Sequence, residues 1–217
     1  MSREQMIHQA AMEIMQEVGV RIHNEKAVEI LKNNGIRVEG NTAFFTEEQV
    51  MHWVQKAPSS FTLYARNPKY DTVIGDGHIN PAPTYGCAFI DEWDGLRRRG
   101  TMEDYIKCLK LVEASENYTI NGGIMIQPSD VPENAAAMEM FYATLTHSEK
   151  AIMLPTGLKE EMELILEAGC ELFGGKEAMI EKPRMIALIN TVSPLSLDER
   201  MLDCLMLLAE YGQAAIL

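Results

Sequence analysis

A strand–helix unit repeats along the second half of the chain. Apolar runs typical of buried strands begin near residues 119, 151, 184 and 213, in steps of 29 to 33 residues, with helical patterns between them. A repeat of about 30 residues predicts parallel βα units. Because the runs are continuous rather than alternating, both faces of the sheet are expected to be covered. The predicted fold class is α/β, and Ser196 with Glu199 is predicted to cap the last helix.

Two parallel architectures fit this repeat, an open doubly wound sheet and a closed (β/α)8 barrel. The strands are followed by the polar loops QPSD, PTG and NTVSP, and none contains the GxGxxG or GxxxxGK[ST] pattern of a phosphate-binding loop. We therefore favour the barrel. A complete barrel takes about 250 residues, and this chain ends inside the apolar run QAAIL. Residues 101–217 are thus expected to be the N-terminal, incomplete part of a TIM-type barrel.

Residues 1–100 are predicted to form a separate N-terminal cap of helices and β-hairpins. Three helical patterns occur there, and the third begins at a capping box of Thr46 and Gln49. Gly-Asn, Pro-Lys and Asp-Gly pairs separate short extended runs and predict three hairpins. The Asp94-Gly95 pair favours a type I′ turn.

Charge and composition argue against several classes of protein. Thirty-two acidic and 19 basic residues give a formal net charge of −13, which disfavours nucleic acid and anionic membrane surfaces as partners. The cysteines and histidines show no CxxC, HxxxH or HExxH spacing, so no metal site is predicted. No apolar run approaches the roughly 20 residues of a membrane span. These features indicate a cytoplasmic protein with reduced thiols.

Four stretches resemble the trimethylamine:corrinoid methyltransferase family, and the likeness extends along the whole chain. They are APSSFTLYARNP at 57–68, PTYGCAFIDEWDGLRRRGTMEDY at 83–105, GGIMIQPSDVP at 122–132 and INTVSPLSLDERML at 189–202. The resemblance implies a TIM barrel much longer than this chain. Members of the family move a methyl group from an amine such as trimethylamine or glycine betaine to a corrinoid carried by a partner protein, in methanogenesis among other settings.

The resemblance also sets expectations for activity and partners. Trimethylamine enzymes carry pyrrolysine in the second half of the barrel, so this chain is expected to be a truncated portion that is inactive alone, and its amine stays open. The expected partners are a cognate corrinoid protein and a small methylated amine. A half barrel also leaves a strand edge open, which predicts a homo-oligomer or a complementing second half. Two alternatives stay open: a truncated, non-catalytic paralogue acting as a binding or assembly module, and a different TIM-barrel enzyme.

One set of candidate substrate-binding residues follows from strand ends. TIM-barrel sites lie at the carboxyl ends of the strands. The residues that this rule selects are Gln127, Thr156, Asn190 and Ser193. Capping of a loop is an equally good explanation for the last two.

A second set follows from the chemistry of a methylammonium group, which is positively charged and makes few hydrogen bonds. Aromatic faces and a carboxylate suit it, and the sequence supplies both within ten residues, in Tyr85, Phe89, Asp91, Trp93 and Asp94. Asp91 is the preferred charge partner, and Asp94 is better explained as the turn former. The alternative is that the aromatic rings belong to the core and Asp91 is a solvated hairpin residue. The basic run at 97–99 either docks an acidic partner or a phosphate, or is a solvated strand. No catalytic residue is predicted, because the corrinoid cobalt is the nucleophile in the family resembled.

Overall fold

The computed structural model describes residues 2–217, which divide into two compact units. Residues 2–59 and 190–203 belong to the first unit, and residues 60–189 and 204–217 belong to the second. The helices are α1 (Arg3–Glu17), α2 (Glu25–Asn33), α3 (Glu47–Val54), α4 (Met102–Ala114), α5 (Ala136–His147), α6 (Lys159–Phe173), α7 (Lys176–Glu181) and α8 (Glu199–Glu210). The strands are β1 (Val20–Ile22), β2 (Arg37–Glu39), β3 (Thr42–Phe44), β4 (Ser60–Leu63), β5 (Thr72–Gly75), β6 (Phe89–Asp91), β7 (Arg97–Arg99), β8 (Ile120–Gly122), β9 (Ala151–Leu154), β10 (Met185–Leu188), β11 (Ser196–Leu197) and β12 (Ala214–Ile216).

A four-stranded parallel sheet forms the centre of the second unit. Its strand order is β12-β10-β9-β8, and every neighbouring pair is parallel. The sequence prediction of parallel βα units in this part of the chain is confirmed. The boundary predicted at residue 100 stays a prediction.

Both faces of this sheet are covered, as the continuous apolar runs predict. Helices α4 and α5 pack together and against β8, and their cluster includes Leu109 and Met140. The opposite face packs against the antiparallel hairpin β4–β5, where Leu63 contacts a cluster that contains Ile120 and Ile186. All four residues of β9 are buried as a result.

Strand β8 is much shorter than the apolar run that predicts it. It ends at Gly122, because Gly122 and Gly123 adopt φ angles of 103° and 74°. These angles lie outside the extended region and take the chain out of the sheet. The chain after Gly123 then pairs with the segment around Cys87 through a bridge at Ile126.

The hairpin β6–β7 also differs in detail from its prediction. Its strands pair antiparallel as expected, with Asp91 opposite Arg97. The backbone N–H of Gly95 donates to the Glu92 carbonyl at 3.0 Å, and Gly95 alone in this turn has a positive φ, 87°. The predicted type I′ turn is therefore wrong, since that turn needs positive φ at two successive residues.

The first unit contains a second four-stranded sheet, of order β11-β1-β3-β2. Helices α1, α2 and α3 belong to the same unit. The predicted capping box at Thr46 is present. Ser196, by contrast, lies in β11, which pairs parallel with β1. The Asp198 carboxylate instead accepts the Met201 backbone N–H at 2.8 Å. The prediction that Ser196 caps α8 is wrong, because Ser196 is committed to the sheet.

Candidate functional site

Two hydroxyl side chains meet at the carboxyl end of the central strand β9. The Tyr85 hydroxyl lies 3.3 Å from Thr156 Oγ1 and accepts the Thr156 backbone N–H at 3.3 Å. It also donates to the Leu154 carbonyl oxygen at 3.5 Å. Thr156 is buried and Tyr85 is half-buried. The structure thus brings together two residues predicted from separate patterns, and their binding of substrate stays a prediction.

The segment that carries Tyr85 is fixed by backbone pairing with the chain that leaves β8. The Gly86 N–H donates to the Ile124 carbonyl at 2.6 Å, and the Gln127 N–H donates to the Cys87 carbonyl at 2.8 Å. Cys87 and Ile126 form a parallel bridge between these hydrogen bonds. Tyr85 is therefore positioned by the loop after β8 while its hydroxyl bonds to the loop after β9.

Gly123 makes room for the Tyr85 ring. A Cβ atom at Gly123 would lie 2.9 Å from Tyr85 Cε2 and 3.0 Å from the Met153 side chain. Real Cβ contacts are longer than this, so any side chain at this position would displace the ring. The Gly-Gly pair thus ends strand β8 and leaves the space that the Tyr85 ring occupies.

A second tyrosine supports this arrangement from helix α4. The fully buried Tyr105 hydroxyl donates to the Gly123 carbonyl at 2.9 Å and lies 3.1 Å from Thr144 Oγ1. Burial raises the pKa of Tyr105, so the phenol stays neutral at physiological pH. Tyr105 is not among the residues predicted from the sequence, although its spacing from Leu109 and Val112 is the i, i+4, i+7 pattern of a buried helix face.

The loop after β9 is held by a buried carboxylate that was not predicted from the sequence. Glu161 accepts the Leu158 N–H at 3.1 Å and the Ala137 N–H at 3.2 Å. A Cβ at Gly157 would lie 2.7 Å from Glu161 Oε2, so the carboxylate packs directly on this loop. Glu161 therefore joins the first turns of α5 and α6 and shapes the backbone next to Thr156.

Three further predicted residues of this unit lie more exposed. Gln127 is exposed, and its backbone rather than its side chain forms the contact with Cys87. Phe89 and Asp91 lie on the exposed face of β6. The Asp91 carboxylate, with 75% of its side chain exposed, lies 3.7 Å from Arg97 Nε. An ammonium ligand at Asp91 would compete with this arginine.

Asn190 and Ser193 belong to the first unit and are both exposed. Ser193 precedes Pro194 in the short connection to β11, where Val192 and Ser196 form an antiparallel bridge. Their predicted role in binding substrate stays a prediction.

Residues 2–217 contain no group of three or more His, Cys, Asp or Glu side chains arranged to hold a metal ion. Within the same residues, no helix has both the length and the apolar character needed to cross a membrane.

Comparison with known proteins gives a match over the whole chain. The family model described as trimethylamine methyltransferase (MTTB) matches residues 1–217. The glycine betaine methyltransferase of Desulfitobacterium hafniense strain Y51 is 42% identical over 213 residues, which cover 98% of this chain and 44% of that protein. The proline betaine:corrinoid methyltransferase of Eubacterium limosum is 26% identical over 227 residues, covering 96% of this chain and 44% of that enzyme.

A trimethylamine methyltransferase of D. hafniense strain DSM 10664 is 25% identical over 198 residues, or 88% of this chain and 39% of the relative. The chain therefore spans less than half the length of these relatives.

Proposed function

Since this chain belongs to the trimethylamine methyltransferase (MTTB) family, we propose that it contributes to the transfer of a methyl group from a methylated or quaternary amine to a corrinoid carried by a partner protein. The observation that carries the proposal is the 42% identity with a glycine betaine methyltransferase over nearly the whole chain. A quaternary amine of the betaine type is the favoured substrate class for the same reason. Trimethylamine is the second candidate, supported by the lower identity of 25%.

We further propose that residues 101–217 form the first strands of a TIM-type barrel. The parallel order of β8, β9 and β10, their short spacing along the chain and their coverage on both faces support this. The relatives extend beyond the matched region, since only 44% of the glycine betaine enzyme is covered. A closed barrel would need further strands, and we expect the isolated 217-residue chain to be inactive alone.

Within this proposal, Tyr85 supplies an aromatic face to the methylammonium group. Such a cation gains roughly 0.5–2 kcal/mol from the face of an aromatic ring, more as it is desolvated. Thr156 holds the Tyr85 hydroxyl and so fixes the ring at the carboxyl end of β9. Phe89, Asp91 and Gln127, in the same unit, keep their proposed role in binding the amine. Asn190 and Ser193 belong to the first unit, and their role in binding substrate stays a separate prediction.

The protein's task in this reaction is placement. The partner's corrinoid supplies the nucleophilic cobalt that accepts the methyl group. The residues of this chain bind the amine, orient its C–N bond and exclude water, which is how positioning lowers a barrier. The neutral Tyr105 phenol and the Glu161 carboxylate do not contact the amine in this proposal. They hydrogen-bond to the backbone of the loops after β8 and β9 and so hold the site residues in place.

The test is a chimaera in which residues 1–217 replace the matched region of the D. hafniense glycine betaine methyltransferase. Free cobalt(I) cobalamin is mixed with glycine betaine or trimethylamine, and formation of methyl-cobalt(III) cobalamin is followed by absorbance. We expect methylation by the chimaera and none by the isolated chain. A chimaera with a native circular dichroism spectrum and no methylation of cobalamin with either amine contradicts the proposed function.

The same experiment tests the alternative of a non-catalytic binding or assembly module. That alternative predicts a folded but inactive chimaera. Methylation by the isolated chain would instead contradict the incomplete-barrel proposal.

A further inference from the structure

Hairpin β4–β5 covers the face of the parallel sheet that lies away from helices α4 and α5. In the proposed barrel the helices form the outer ring, so this face is the barrel interior. Barrel strands ordinarily fill the interior with bulky side chains, but Ala151 of β9 and Ala214 of β12 lie on this face. The fully buried Leu63 of the hairpin packs in the same cluster. The hairpin therefore supplies core volume inside the proposed barrel.

One end of this hairpin is tied to the amino edge of the sheet. Arg184 Nη1 donates to the Ala65 carbonyl oxygen at 2.8 Å, and the Tyr64 N–H donates at 2.8 Å to the carbonyl oxygen of the residue that precedes Arg184. Both partners come directly before β10. Strand β4 runs into this tied end, and four residues of extended chain span about 13 Å. Phe61, four residues before Ala65, therefore lies towards the carboxyl edge, because the four residues of β9 span a similar length.

Phe61 and Ile74 form a cross-strand pair of the hairpin, and we refer to them as the hairpin floor. Both side chains are half-buried, whereas Leu63, on the same face of β4, is fully buried. The floor packs against the cluster that contains Met153, and Tyr85 packs against that same cluster. The hairpin floor thus lies between the buried core of the hairpin and the edge of the sheet where the Tyr85 hydroxyl is bound.

The direction of methyl transfer gives the hairpin floor a chemical role. The methyl group that is transferred must face its acceptor, so other substituents of the nitrogen face into the site. Phe61 and Ile74 offer these substituents an apolar surface, and the Phe61 ring offers the cation an aromatic face. Both side chains are anchored through the hairpin, so the depth available below the nitrogen is fixed.

We propose that the hairpin floor limits the length of the substituent that an ammonium substrate carries on the side facing away from the methyl acceptor. Methyl groups fit above the floor, and a longer alkyl chain on that side does not. The inference rests on the proposed function, because that function places the amine beside Tyr85. It deepens the proposed function by assigning substrate size to Phe61 and Ile74, which no sequence pattern singled out.

The test measures binding of tetramethylammonium and of n-butyltrimethylammonium to the chimaera by isothermal titration calorimetry. Phe61→Ala opens space below the nitrogen and is expected to shift the ratio of the two Kd values roughly tenfold in favour of the butyl compound. Ile74→Ala removes fewer atoms and should shift the ratio in the same direction by less. The matched control is Phe173→Ala, at a half-buried ring that contacts the Arg184 guanidinium at the amino edge. This control should leave the ratio unchanged.

The ratio separates a role in specificity from a role in folding alone. Folded floor variants, judged by circular dichroism, that weaken both ions equally would overturn the inference, as would an unchanged ratio or the absence of binding to the unsubstituted chimaera. Calorimetry needs no methyl transfer, so the proposed function is judged separately. Methylation of cobalamin with an unchanged ratio would leave the proposed function standing, whereas a shifted ratio without methylation would support the floor and contradict the proposed function.

Discussion

Tyr85 is the residue on which the candidate site depends, because its hydroxyl and its ring have separable roles. The hydroxyl bonds to the loop after β9, and the ring is the part of the side chain that the proposed function assigns to the cationic substrate. In the chimaera, we expect Tyr85→Ala to raise KM for glycine betaine roughly tenfold, by loss of a cation–π contact. Tyr85→Phe keeps the ring and should raise KM less. Tyr142→Ala, at a 63% exposed tyrosine on α5, is the control, and equal KM values for Tyr85→Ala and this control would exclude Tyr85 from the site.

Gly123 gives a test of the close approach that places Tyr85. Ala at this position meets both an unfavourable φ of 74° and the Tyr85 ring. Gly77 has a similar φ of 78° with no atom within 4 Å of a Cβ, so Gly77→Ala carries the backbone cost alone. We expect Gly77→Ala to lower the free energy of unfolding by about 1 kcal/mol and Gly123→Ala by about 1–3 kcal/mol more. Urea denaturation measures both, and equal losses would show that the ring contact is relaxed at no cost.

The sequence made part of this site predictable at the level of single residues. Tyr85 and Thr156 were selected by local chemistry and by position after a strand, yet they lie 71 residues apart and nothing local shows that they touch. Tyr105 and Glu161 were not predictable from the sequence, because their roles depend on hydrogen bonds to Gly123 and Ala137, which lie in other elements. An ionisable residue inside a helical pattern does not reveal from sequence whether its polar end faces water or a loop.

At the scale of elements, the junction between hairpin β6–β7 and helix α4 is built around one ion pair. The Arg98 guanidinium holds the pKa of Asp104 well below its ordinary value of 3.8, and Thr101 donates to the same carboxylate. A carboxyl group whose pKa is lowered on folding stabilises the folded state above its unfolded pKa. That contribution is lost as pH falls below 3.8 towards the lower folded value.

Asp104→Asn is therefore expected to lower the free energy of unfolding by about 2 kcal/mol near neutral pH. The difference from the unsubstituted chain should shrink as pH falls below 3.8, because both proteins then lack the charge. Urea denaturation at a series of pH values measures it. Glu103→Gln, at an exposed partner of Lys107, is the control and should change stability by no more than about 0.5 kcal/mol. A pH-independent difference would show that the charge of Asp104 contributes nothing.

Elements marked by local signals were predictable, and those set by distant contacts were not. The capping boxes at Thr46 and Thr101 and the Gly-Asn hairpin turn lie within a few residues of the groups they bond. The assignment of Ser196 failed because its strand pairs with Arg21, far away in sequence. With Ser196 in a strand, the nearer Asp198 takes over the helix cap.

At the scale of the whole molecule, long-range pairing also explains the unit boundaries. Residues 190–203 return to the unit formed by residues 2–59. No composition change or linker marks this return, because it depends on the pairing of β11 with β1. The parallel sheet, in contrast, was visible as a repeat, since each βα unit is a local structure.

Self-association is the last prediction, and helix α1 is its basis. No residue of this helix is buried, and Met6, Ile7, Ile14 and the C-cap residue Val18 are 43–63% exposed. Ile7 and Ile14 lie on either side of Ala10 and Ala11, so an antiparallel pair of α1 helices from two copies brings the isoleucines together across small residues. The same pairing places Arg3 of one copy near Glu17 of the other, which offsets part of the repulsion from a net charge of −13.

We therefore expect a homo-oligomer at tens of micromolar, measured by multi-angle light scattering. Ile7→Glu/Ile14→Glu should shift the chain towards monomer, because burial of each large aliphatic side chain contributes about 1.5–3 kcal/mol. Leu111→Glu/Leu164→Glu, at two exposed leucines on α4 and α6, is the matched control and should leave the oligomeric state unchanged. A monomer in the unsubstituted chain would exclude self-association, whereas an oligomer that persists in the α1 variant would place the contact elsewhere.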